Sequence, residues 1–202
     1  MLKGAVMTQL NLTIKNTPQA HATWKYLTQS PSEVAADIGD SMMNFLTQRL
    51  EFDAEYIDAQ VKTIFMNGKP VDDLDAASIP AEARIALGAV APGVAGMMMA
   101  RNSPISGMRS GITYHNTESV QTITEGTVTL LLFNAVMEDK GLQILKKGIT
   151  IPAEKLERAV EEVPESISTA HLDDTSMSAV ELLEWIRKNP QLHVQLRVNS
   201  NS

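Results

Sequence analysis

The sequence predicts an α+β protein: an N-terminal sheet with one helix over residues 1–100, then a smaller α/β segment packed on it over residues 126–202 with about three helices. Three observations lead there. Short runs with apolar residues at every second position, the signature of half-buried strands, occur in both halves of the chain. Two Ser-x-x-Glu strings open apolar runs at helical spacing, as capped helices do. Between the halves, residues 101–125 are rich in Ser, Gly and Asn and read as a loop or linker.

Taken in order, Leu10, Leu12 and Ile14 alternate with polar residues and predict a strand. The stretch from Ala20 to Thr28, with Trp24 and Tyr26 on one face, is expected to return beside it as a hairpin. Ser30 is placed to cap a helix, with Pro31 at its first position and Glu33 three residues after the cap. Val34, Ile38, Met42, Phe45 and Leu46 then fall on one side of a helix running to about Leu50. Residues 61–66 predict a strand buried on both faces, Asn67-Gly68 a tight turn, residues 69–83 an irregular return and residues 84–90 a further buried strand.

In the second half, residues 126–133 predict a buried strand, and residues 134–147 a helix capped by Asn134 and stopped by Gly148. Ile149 to Ile151 form a short strand. Leu156, Ala159, Val160 and Val163 share a face of the helix that Pro152 opens, whose Glu154, Glu157, Glu161 and Glu162 are expected to face solvent. Residues 164–176 read as a linker. Ser178 and Glu181 form the second capping box, before a helix with Val180, Leu183 and Ile186 inward. Leu192, Val194, Leu196 and Val198 alternate as a last strand before a frayed polar end.

The predicted order over residues 10–96 is strand, strand, helix, strand, turn, strand. With Asn67-Gly68, the acidic Val71 to Asp75, the strand from Arg84 and the string "PGVAGMM", it resembles the ubiquitin-like β-grasp fold, and within it the sulfur carriers of molybdopterin and thiamine synthesis. The chemistry of those carriers resides in a free C-terminal glycine carboxylate, whereas Gly96 is followed by Met97 and the rest of the chain. What the resemblance implies for the intact chain is a sheet and tail used as a docking surface.

Composition narrows the function classes. At 202 residues and 44% hydrophobic content the chain has material for a core, and its net charge of −7 argues against a polyanion binder. Aromatics at 4% leave little for base stacking. Without cysteine there is no disulfide, thiolate nucleophile or cysteine zinc site. His21, His115, His171 and His193 lack metal-ligand spacing, and Asp72, Asp73 and Asp75 lack the glycine and distal glutamate of a calcium loop. Residues 1–16 lack the long apolar run and cleavage site of an export signal. The uncharged stretch from Ile85 to Ala100 falls short of the ~20 residues that span a bilayer and is broken by Pro92. No cofactor or metal, no nucleic acid and no membrane are therefore expected, and a cytoplasmic location is.

The leading expectation is a non-enzymatic interaction or binding module with a protein partner or a second copy of itself, contacted through Met97, Met98 and Met99, since methionine clusters suit adaptable contacts. The alternative is an enzyme or ligand-binding protein that holds a small anion at residues 103–111, with Arg101, Ser106, Arg109 and Ser110 supplying guanidinium, hydroxyl and backbone donors.

Overall fold

The computed structural model describes residues 7–116 and 122–201, apart from the Ser110 side chain. It is α+β, with helices and mixed sheets. By compactness the chain falls into two units. The terminal unit comprises the residues up to 32 and those from 140 onward, and the central unit comprises residues 33–139. These do not coincide with the expected spans 1–100, 101–125 and 126–202; of the expected linker, residues 117–121 lie outside the described residues.

In the terminal unit, β1 (Thr8–Ile14) runs parallel to the last strand, with Leu10 opposite Leu196, and antiparallel to the strand at 167–172 on its other side. The expected hairpin is replaced by a helix. α1 (Pro18–Lys25) starts where the Thr17 side chain accepts the Ala20 N–H and Pro18 occupies the first turn. Helical geometry buries Trp24 completely and leaves Tyr26 outside, where alternation had put both on one face.

In the central unit, the expected helix from Ser30 is half strand. β2 (Ser32–Ile38) buries Ser32, Val34 and Ala36 while Glu33 and Ala35 face out, a period of two. Gly39, at φ 91°, ends it in a conformation that a helix cannot include. Ser41 then caps a short helix, α2 (Met42–Asn44), which widens into a π turn over Phe45–Arg49. Met42, Phe45 and Leu46 do share the buried face that their spacing predicts. α3 (Ala54–Gln60) follows, capped by Asp53.

β3 (Thr63–Met66) buries Ile64 and Met66 but only half-buries Thr63 and Phe65. It is therefore covered mainly on one face, rather than on both. The Asn67-Gly68 turn forms, with φ of 52° and 78°, and returns the chain as β4 (Lys69–Pro70). β5 (Arg84–Gly88) pairs antiparallel with β3 and parallel with β6 (Thr124–Leu132). The strand order in this unit is β4-β3-β5-β6-β2. α4 (Gly93–Met99) and a 3-10 turn (Ser106–Ile112) lie between β5 and β6 in the chain.

α5 (Asn134–Lys147) is present, and the Asn134 side chain at its start accepts the Ala89 N–H. In the terminal unit again, β7 (Ile149–Pro152) and α6 (Glu154–Glu162) stand as expected, with Leu156, Ala159, Val160 and Val163 buried. The supposed linker after Pro164 is a hairpin of β8 (Ile167–Leu172) and β9 (Thr175–Met177), turned at Asp173. α7 (Ala179–Lys188) carries the capping box of Ser178 and Glu181. It buries Leu182 and Ile186, four residues apart, and leaves Val180 68% exposed, because α7 meets the body one residue round from the predicted stripe. β10 (His193–Ser200) closes the order β7-β10-β1-β8-β9. Its end is tied down, since Asn201 donates its N–H to Ile14 O. The strand pairing that a β-grasp implies is not the pairing seen, because β1 is held by β10 and β8 rather than by a strand within residues 10–96.

Candidate interaction surface

The segment from Gly93 to Asn116 holds every residue singled out as functional, and it is braced rather than loose. Gly96 approaches the preceding chain so closely that a Cβ there would stand 1.9 Å from Ala91 O. Ala100 and Arg101 return to the body, with the Arg101 N–H on Lys62 O at 2.6 Å. Tyr114 donates its N–H to Pro70 O and its phenol to Ser78 O, and Asn116 accepts the Ser78 N–H. Sequence composition hides this, because backbone groups about forty residues away supply the partners.

Both arginines finish short helices. Arg101, 8% exposed, reaches the C-terminal end of α3, with Nε on Val61 O and Nη2 on Ile57 O, each at 3.2 Å. A cation there meets the negative end of the helix dipole. Burial pulls its pKa below the ordinary value, and the charges of Asp58 and Asp72 oppose that shift.

Arg109 does the same for α4. Its Nε donates to Met98 O at 2.6 Å, and Nη2 also lies 3.4 Å from both Met99 O and Ala100 O. Nη1 and Nη2 grip Asp72 Oδ2 and Oδ1 at 2.9 and 2.7 Å, and Nη1 also donates to Thr113 Oγ1. A guanidinium has five N–H donors, and these contacts engage all of them. Ser106 is likewise turned inward, its hydroxyl donating to Ser103 O at 2.8 Å. The Ser110 side chain lies outside the described residues.

Of the Asp72 to Asp75 string, Asp72 joins the same bracing and Asp73 closes a local turn. Asp72 holds Arg109, and Asp73 Oδ1 accepts the N–H groups of Asp75 and Ala76. Among the described residues no group of three or more His, Asp or Glu side chains is placed to hold a metal.

Among the described residues of α4 and the 3-10 turn, the exposed side chains are apolar. α4 and the 3-10 turn pack on each other. Met97 is 47% exposed and Val94 69% on the first, Met108 78% and Ile112 51% on the second. Met98 and Met99 are half-buried and contribute their carbonyls to Arg109. Val94, Met108 and Ile112 were not singled out by sequence. Spacings of three from Val94 to Met97 and four from Met108 to Ile112 carry the signal, masked by Pro92 and four glycines. Exposed apolar residues gathered on two elements that pack together are the kind of surface that marks contact sites on proteins.

No protein-family model matches this chain, and no curated protein or solved structure matches it either. Among the described residues no helix is long and apolar enough to cross a membrane.

Proposed function

We propose that the chain is a non-enzymatic binding module that docks a protein partner on the apolar face of α4 and the following 3-10 turn. The observation that carries this reading is the contrast within one segment: Arg101 and Arg109 fix it from inside, while Val94, Met97, Met108 and Ile112 remain outside. Holding a surface rigid before binding lowers the entropy lost on association, and methionine fits partners of varied shape. The occupant is a partner with apolar anchors and basic flanks. A second copy carries the same charge of −7 and is disfavoured by repulsion. The anion-binding alternative at residues 103–111 has less support, since the guanidinium of Arg109 has its donors engaged with Asp72, Thr113 and backbone carbonyls.

The test is co-purification from source cells of the wild type, the double variant Met97→Glu/Met108→Glu, and Val180→Glu as an equally exposed control. A stoichiometric partner kept by the wild type and the control and lost by the double variant supports the reading. A partner kept by all three, or a wild type that only pairs with itself, overturns it.

A further inference from the structure

A second feature lies on the terminal unit and owes nothing to the docking face. α1 and the turn after it face α6 across a groove of about 660 Å³, a size at which small molecules are bound. One wall is fixed from behind. Trp24 is fully buried and donates its indole N–H to Ser166 Oγ at 3.3 Å, and Thr28 is buried with its hydroxyl on Lys25 O. Gly141 of α5 lets this wall pack tightly, since a Cβ there would lie 3.0 Å from Lys25 Cγ. From this fixed wall Tyr26 turns outward, 55% exposed, in a chain that buries Trp24, Phe45 and Phe52.

The opposite wall is α6, whose charges the fold sorts. Glu157 and Glu161 are taken by Arg187 of α7, Glu157 at 2.7 Å. Lys155 and Arg158 are left to line the groove, with Glu162. Arg158 donates its Nε–H to Glu162 Oε1 at 2.6 Å, and Tyr26 lines the same groove. Two cations and one carboxylate make the groove locally positive on an acidic protein. An incoming phosphate dianion can take Arg158 from Glu162, because the guanidinium fork binds it in two-pronged fashion and Lys155 adds a second charge.

We propose that this groove binds a small phosphorylated aromatic compound of the mononucleotide class, its phosphate between Lys155 and Arg158 and its ring against Tyr26. The hydroxyls of Thr23 and Ser30, which also line the groove, supply hydrogen bonds to the part between them.

Isothermal titration of the full chain with adenosine 5′-monophosphate, adenosine and inorganic phosphate tests it. The monophosphate is expected to saturate a single site, with adenosine and phosphate each weaker by about tenfold or more. Lys155→Ala/Arg158→Ala weakens the monophosphate by about tenfold or more, and Tyr26→Ala weakens the monophosphate and leaves phosphate unchanged. All three side chains are exposed, so the variants keep the wild-type melting profile, which circular dichroism checks. Absence of saturable binding at millimolar monophosphate overturns the proposal. So does binding that the double variant leaves intact, or inorganic phosphate binding as tightly as the nucleotide.

Discussion

Arg109 and Asp72 form a two-pronged ion pair, Nη1 to Oδ2 at 2.9 Å and Nη2 to Oδ1 at 2.7 Å, in which the guanidinium side chain is 1% exposed and the carboxylate 38%. The pair joins the irregular return after β4 to the turn that carries the apolar face. Removing one partner from a fully buried pair costs about 3–5 kcal/mol. Because Asp72 is open to water on one side, Asp72→Ala is expected to cost less, about 2 kcal/mol, in urea denaturation. Pairing it with Arg109→Met should cost less than the sum of the two single changes, since the second change removes the stranded charge.

Gly96→Ala should be among the most damaging single-methyl additions. The new Cβ meets Ala91 O at 1.9 Å, and the obstacle is backbone. A loss of about 3 kcal/mol, the upper end for overpacking, is expected in thermal or urea unfolding. Gly107→Ala, where nothing lies within 4 Å, should change stability by less than about 0.5 kcal/mol. Equal losses at both positions would contradict the close approach of α4.

Two strings in the chain read as capping boxes, and only one is. Ser178 accepts the Glu181 N–H while Glu181 Oε2 accepts the Ser178 N–H. Ser30 precedes a strand. Ser178→Ala is therefore expected to cost about 1 kcal/mol, and Ser30→Ala less than about 0.5 kcal/mol, measured by chemical denaturation.

Asp37 and Arg49 give a pH dependence. Arg49 Nε donates to Asp37 Oδ2 at 2.6 Å, and Nη2 to Oδ1, with Glu125 nearby. That hydrogen bonding outweighs burial and lowers the Asp37 pKa below 3.8 in the folded chain. A carboxylate with a depressed folded pKa stabilises fully above its unfolded value and loses that contribution as pH falls through the folded one. The stability difference between wild type and Asp37→Asn should therefore hold steady above pH 3.8 and close at lower pH. A gap that stays constant through the acid range would contradict the pair.

Sequence legibility followed the range of the interactions. Asn67-Gly68, the Ser178 capping box, β10 and the buried face of Met42, Phe45 and Leu46 rest on local chemistry, and each was readable. Ser30 to Asp37 was misread because a Ser-Pro-Ser-Glu string suits the first turn of a helix, whereas the strand it forms is dictated by burial of Val34 and Ala36. Thr17 and Pro18 start a helix equally well, a signal that the alternation at Trp24 and Tyr26 masks. At the site, Met97 and the two arginines were found by residue type. The use of those arginines was not, because Asp72 lies 37 residues from Arg109 and the carbonyls of Ile57 and Val61 lie 44 and 40 residues from Arg101. Long-range pairing turned candidate ligand donors into braces and left the apolar residues between them as the surface.

The most direct measurement is hydrogen exchange of the wild-type chain, alone and with the partner it retains from source cells. Alone, the N–H groups of Ala100, Arg101 and Tyr114 should already be protected by their bonds to Gly96, Lys62 and Pro70. With the partner, added protection should concentrate in α4 and residues 106–112. Unprotected amides there in the free chain, or added protection confined to other segments, would contradict a rigid docking face.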